Sequence, residues 1–287
     1  MNKIRYFIAA IGILMLTLSP VLASGQDCGA LKNKIKKERN LLKKRELLNH
    51  ALEVCPQDAE IHYSCAYAAE RLRNYDKAQR NYLKATELDN TYAKAYFGLG
   101  DIYMVLGNAR LAIDAYEKGL SLAPQNKRAR ASYELARIKN KSETGEQITS
   151  AEFIQVMQES KSEETAPGAV DGPLLRMQIH FYSASSQLSE QAKAQLLNVG
   201  KALEDSALQD KKFEISGHTD NVGGEESNLV LSKHRAEQVR QYLLDTFSIH
   251  PEALIVAYYG DTRPAVPNTS TENRALNRRV EFRRISQ

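Results

Sequence analysis

Tryptophan is absent and phenylalanine is scarce, at seven of 287 residues, so a large aromatic ligand site is not expected. Charge of one sign is in short supply too. The formal net charge is only +4, less basic than a nucleic-acid-binding chain usually is. The basic residues concentrate at 32–45 and 274–284. The apolar run at 7–18 falls short of the roughly 20 residues that a membrane-spanning helix needs. Cysteine occurs three times, as Cys28, Cys55 and Cys65, at spacings that match no metal site. No histidine pair has metal-ligand spacing, and no serine or cysteine stands in a setting that would activate a nucleophile. Neither cofactor, metal nor catalytic residue is expected.

What is present is ordinary globular material, 43% hydrophobic and 26% charged, and long enough for about two domains. Residues 1–23 have the three parts of a secretory signal: Lys3 and Arg5, the apolar run, then small residues suited to cleavage after Ala23. In the oxidising compartment this implies, two of the three cysteines can pair.

A repeat follows. Asn40, Asn74 and Asn108 fall 34 residues apart, as do Pro56, Asn90 and Pro124. A 34-residue period resembles that of the tetratricopeptide repeat. The best copy is 93–126, where Tyr96, Leu99, Gly100, Tyr103, Gly107, Ala112, Tyr116 and Pro124 stand at that motif's large, small and breaking positions. The copy at 59–92 is weaker. The copy at about 25–58, with Lys44 at a small-residue position, reads as a cap. The resemblance implies an all-α array of helical hairpins over 24–140. Its concave face, with Tyr63, Tyr67, Arg71, Lys94, Phe97 and Asp101 as candidates, would take a protein partner. Packing is the simpler account of Tyr96, Tyr103 and Tyr116. In this register Cys28 and Cys65 lie on first helices of adjacent repeats, which pack side by side, so that pair is the expected disulfide.

Residues 141–172 shift to Ser, Glu, Thr, Gly and Pro and read as a linker. Inside it, Thr149 and Glu152 make a capping box ahead of a short helix near 149–158, with Phe153, Ile154 and Met157 on its apolar face. This helix should dock on one of the two domains, with flexible residues after it to 171. From 173 to 287 the pattern is βαβαββ, two main helices on a mixed sheet, an α+β domain. Asp220 sits where a strand at 212–217 gives way to a loop, and Arg235 lies in the helix that follows. A carboxylate and a guanidinium so placed suit a zwitterion, one taking an ammonium and the other forking onto a carboxylate.

Gly217-His218-Thr219-Asp220-Asn221-Val222-Gly223, then Asn228, Leu231-Ser232-Lys233-His234-Arg235-Ala236, and finally Asn273 to Glu281 resemble the OmpA-like peptidoglycan-binding domain. The likeness runs from about 174 to the C-terminus. It implies that Asp220 and Arg235 hold the diaminopimelate of a peptidoglycan stem peptide, with Arg278 as a supporting contact; Thr219 and Asn228 are placed either to supply further polar contacts or to order the loop. His218 beside Asp220 invites a catalytic reading, but adjacent strand residues point to opposite faces. The resulting expectation is a periplasmic, wall-associated tether that binds without cutting, reaches the outer membrane through partners, and takes no nucleic acid. The alternatives are an adaptor subunit of a secretion, motility or surface-assembly machine, and a peptidoglycan-modifying enzyme.

Overall fold

The structure is a computed structural model that describes residues 25–159, 172–182 and 185–285. The secretory signal expected at 1–23 and the flexible stretch expected up to 171 lie outside the described residues, save Glu159 at the latter's start. The chain divides into two compact units, 1–56 and 57–287.

In the first unit, α1 (Gly25–Lys37) and α2 (Leu41–Val54) form a helical hairpin. Asn40 caps α2, its side chain accepting from the Leu42 and Lys43 amides. Cys28, near the start of α1, is bonded to Cys55, just past the end of α2, with Cα atoms 5.9 Å apart. This corrects the expected Cys28–Cys65 pair: antiparallel helices of one hairpin bring its two ends together. Cys65 is a buried thiol outside the disulfide.

The second unit begins with α3 (Ala59–Arg71), α4 (Tyr75–Leu88), α5 (Ala93–Val105), α6 (Ala109–Leu122) and α7 (Lys127–Glu143). The asparagine spacing has a local cause. Asn74 and Asn108 cap α4 and α6 by accepting from the amides of Lys77 and Leu111, as Asn40 caps α2. Between the helices of each hairpin one tyrosine is fully buried: Tyr82, whose hydroxyl donates to Glu70 at 2.8 Å, and Tyr116, which donates to Asp101 at 2.8 Å. A buried phenol needs such an acceptor. Gly100 makes room for the second ring, since a Cβ there would lie 2.6 Å from Tyr116 Cε1. Tyr96 and Tyr103 are half-buried.

The stretch expected as a linker is packed over 141–159. Helix α7 runs on through Glu143, and Ser142 Oγ donates to the Arg176 carbonyl at 2.8 Å. Ile148 is fully buried. The capping box of Thr149 and Glu152 opens α8 (Ser150–Met157), which buries Phe153, Val156 and Met157, with Phe153 edge-on to Phe282 at 5.7 Å. Leu135 and Ile138 of α7 belong to the same apolar cluster as these residues. The repeat array and the α+β layer therefore share a core.

That layer comprises β1 (Leu174–Met177), α9 (Glu190–Leu203), β2 (Lys212–Gly217), α10 (Glu225–Thr246), β3 (Leu254–Tyr258), α11 (Thr271–Asn277) and β4 (Val280–Ile285). Strand order is β1-β4-β2-β3, with β2 parallel to β3 and the other pairs antiparallel. Leu175, Met177, Phe213, Ile215, Val280 and Phe282 pack with Leu196 and Val199 of α9 and Val239 and Leu243 of α10. The opposite face carries Arg176 across from Glu281, and Glu214 across from Arg283. Opposite charges facing each other across strands are favourable. Among the described residues no helix is long and apolar enough to cross a membrane.

Candidate functional site

The loop after β2 is held by backbone and small residues before any ligand is considered. His218 N donates to the Arg279 carbonyl at 3.0 Å and Thr219 N to the Gly260 carbonyl at 2.8 Å, extending the sheet contacts past the strand end. Gly217 lets α10 come close, because a Cβ there would collide with the Ser232 carbonyl. Ser232 Oγ in turn accepts from Gly260 N at 3.0 Å, tying α10 to the neighbouring loop. The turn beyond needs Gly223 at φ 103°, a conformation costly for residues with a Cβ.

Asp220 is buried, at 7% exposure. Its Oδ1 accepts from Val222 N at 3.0 Å, an Asx turn, and its backbone carbonyl accepts from Asn228 Nδ2 at 3.2 Å. Its Oδ2 accepts from Arg278 at 2.6 Å. Arg278 arrives from the segment between α11 and β4, and its side chain is 45% exposed. The side-chain partner of Asp220 is thus Arg278.

Arg235, midway along α10, is half-buried and lies over the Phe181 ring at 4.9 Å. Its Nε is buried without a hydrogen-bond partner. Burial and then Arg278 pull its pKa down, while Asp220 acts the other way. Arginine stays charged in proteins, so the group is a desolvated cation with donor capacity in hand. It borders a cleft of about 150 Å³ lined by His180, Phe181, His218, Arg235, Arg278 and Arg279, among others. Thr219 Oγ1 is likewise buried and without a partner.

Behind the loop sits a charged cluster that sequence reading missed. Glu281 Oε1 accepts from Arg279 Nε at 2.8 Å and lies 3.4 Å from Arg176 Nε, while Oε2 is 3.5 Å from His218 Nε2. Burial alone would raise the Glu281 pKa, but Arg279, His218 and Arg176 more than offset it and hold it well below the usual carboxylate range. For His218 burial dominates and lowers the pKa against the pull of Glu281. Its ring also rests against Tyr259 at 5.3 Å. Arg176 reaches onward to the Gly107 carbonyl and Glu143, so the repeats support the same cluster. Asn277 is the other support missed: fully buried, it accepts from Ala265 N and Val266 N and donates to the Val266 carbonyl and Asn268. The alternation of charged with apolar residues from Arg279 to Arg283 is the signal available for the first of these.

The chain thus joins helical hairpins to a mixed-sheet α+β layer that carries an oppositely charged pair at one loop end. Residues 180–278 match the OmpA family, residues 93–126 the tetratricopeptide repeat and residues 74–107 the TPR repeat. Over 124 residues the chain is 35% identical to the peptidoglycan-associated lipoprotein of Pseudomonas aeruginosa, covering 41% of this chain and 71% of that protein. With outer membrane porin F of the same organism it shares 29% identity over 115 residues, 40% of this chain and only 32% of the porin. The solved cell wall anchor of the T6SS from P. aeruginosa aligns at 28% identity over 42% of this chain and 87% of that one, with a TM-score of 0.35. The chain belongs to the OmpA family and carries tetratricopeptide repeats.

Proposed function

We propose that this chain is an exported, periplasmic tether that binds diaminopimelate-type peptidoglycan noncovalently and presents its repeats to a protein partner. One observation carries the reading: a desolvated guanidinium with an unused donor, Arg235, lines a small cleft together with Arg278, and Arg278 is the ion-pair partner of the buried carboxylate Asp220. Asp220 and Arg235 suit the amino acid end of a stem peptide, with its ammonium on Asp220 and its carboxylate on Arg235. The peptidoglycan-associated lipoprotein, by its name, supports the same ligand class. Arg278 holds Asp220 until the ligand ammonium replaces it, and is then free to turn to the ligand carboxylate. Asn228 keeps the loop in shape, and Thr219 offers a hydroxyl. Nothing in the reading requires cleavage: His218 is held between Glu281 and Tyr259, and its role is to support the loop. Many copies of the ligand on a wall would give retention through effective concentration.

The test is co-sedimentation of residues 24–287 with insoluble diaminopimelate-containing sacculi, beside Asp220→Ala and Arg235→Ala. Retention of the parent and loss of both variants, with unchanged circular dichroism, is the expected result. Equal binding by all three, or by none, would remove the site assignment. Release of soluble muropeptides by the parent would show cutting.

A further inference from the structure

The basic segment 32–45 takes no part in the site just described. Eight basic residues against Glu38 alone give it a net charge of +7 in a chain whose total is +4, so the remainder nets −3. The fold gathers this charge at one tip of the α1–α2 hairpin. Glu38 accepts from Asn40 N at 2.7 Å, and Asn40 Oδ1 accepts from Leu42 N and Lys43 N at 3.0 and 3.1 Å. The last turn of α1 and the first turn of α2 consequently adjoin. Lys34, Lys37, Arg39, Lys43 and Arg45 are exposed there, and Leu42 among them is 60% exposed. The disulfide Cys28–Cys55 closes the other end of the hairpin.

Helix chemistry accounts for only half of this. Lys34, Lys36 and Lys37 lie in the last turn of α1, where positive charge is favourable. Helix α2 has no acidic residue in its first turn and carries Lys43 and Lys44 there, where the helix dipole disfavours them. Repelling charges kept at a local cost around an exposed leucine suit a partner that is negative at its surface and apolar beneath. No aromatic residue lies within 32–45 to stack on a base.

We propose that this tip docks on the surface of an anionic phospholipid bilayer, its lysines and arginines on the headgroups and Leu42 in the interface. The attachment is independent of the peptidoglycan reading and gives the chain a second, noncovalent hold in the envelope.

The experiment is co-sedimentation of the full chain with vesicles of mixed phosphatidylglycerol and phosphatidylcholine, and with phosphatidylcholine alone, at two salt concentrations. The comparison protein is Lys37→Gln/Arg39→Gln/Lys43→Gln, and Leu42→Ser is run separately. Parent and variants share residues 1–23, so a difference between them reports the tip. Capture by the anionic vesicles, weakened by salt, should fall on the order of a hundredfold in the triple variant, at roughly fivefold per charge, and fall measurably for Leu42→Ser. Equal capture of parent and triple variant overturns the proposal. So does equal capture of the parent by neutral vesicles, and so does displacement of the parent by duplex DNA at matched phosphate, which would make the tip a general polyanion site.

Discussion

Replacing Asp220 by Asn is the sharpest probe of the binding site, because it removes charge while leaving the loop its local hydrogen bonds. The Asn Oδ1 can still accept from Val222 N, and the backbone carbonyl still accepts from Asn228. What changes is the second oxygen, which receives Arg278 at 2.6 Å. An amide NH₂ there faces a donor, and Arg278, 45% exposed, turns to water. With one partner that exposed, the folding cost is at most about 1 kcal/mol. For a compact unit of this size that is a fall of roughly 2–4 °C in melting temperature. Binding should suffer more. A charge-assisted hydrogen bond contributes about 1.5–3 kcal/mol, so affinity should drop between roughly tenfold and somewhat over a hundredfold. On the proposed reading the ligand ammonium would displace Arg278 from Asp220, which would offset part of the gain and places the expected loss toward the lower end. The assay is a sedimentation isotherm against increasing amounts of sacculi, with thermal melting on the same samples. Superimposable isotherms for parent and Asp220→Asn, with the melt lowered by only a few degrees, would falsify the assignment of Asp220 as the ammonium acceptor.

Four further outcomes are expected. The His218 pKa is lowered by burial from 6.5, so below about pH 6.5 the unfolded chain binds a proton that the folded chain lacks. Stability should therefore decline as pH falls through that range, by at most about 1.4 kcal/mol per pH unit, and His218→Gln should flatten the slope in denaturant titrations. Reducing Cys28–Cys55, which spans 27 residues, should destabilise the hairpin by about 3–4 kcal/mol on the loop-entropy estimate, read as lost amide-exchange protection over 29–54. Gly100→Ala would press a Cβ against the buried Tyr116 ring and should cost about 1–3 kcal/mol, measured by thermal denaturation. Burial pushes the Cys65 thiol up to about 12, so the native protein should leave Ellman's reagent unreduced at neutral pH, with one thiol reacting after denaturation.

Several features were legible because they are written in short-range chemistry. The 34-residue asparagine spacing reflects a cap at the start of each second helix, where a side chain bonds an amide two or three residues on. The capping box of α8 is equally local. The motifs around Asp220 and Arg235 fall at the expected junction of a strand with the helix that follows, β2 and α10. Hydrophobic period also foretold a docked α8, although Val156 rather than Ile154 is the more buried residue.

The amino-acid sequence by itself determined the repeat period, the α+β order and the residues of the loop after β2, since each depends on neighbours within about one turn or one strand. Only the tertiary structure decided which distant groups meet. Asp220 and Arg278 are 58 residues apart and pair because β2 and β4 run antiparallel, so that the loop leaving one adjoins the segment entering the other. Cys28 finds Cys55 because the two helices of one hairpin run antiparallel and bring the start of α1 beside the end of α2. Arg176 joins Glu281 to Gly107 and Glu143 because the polar face of the sheet packs against the repeats. Composition marks such residues as charged and places them on strands, but burial, which makes their pairing obligatory, is a property of the assembled layers.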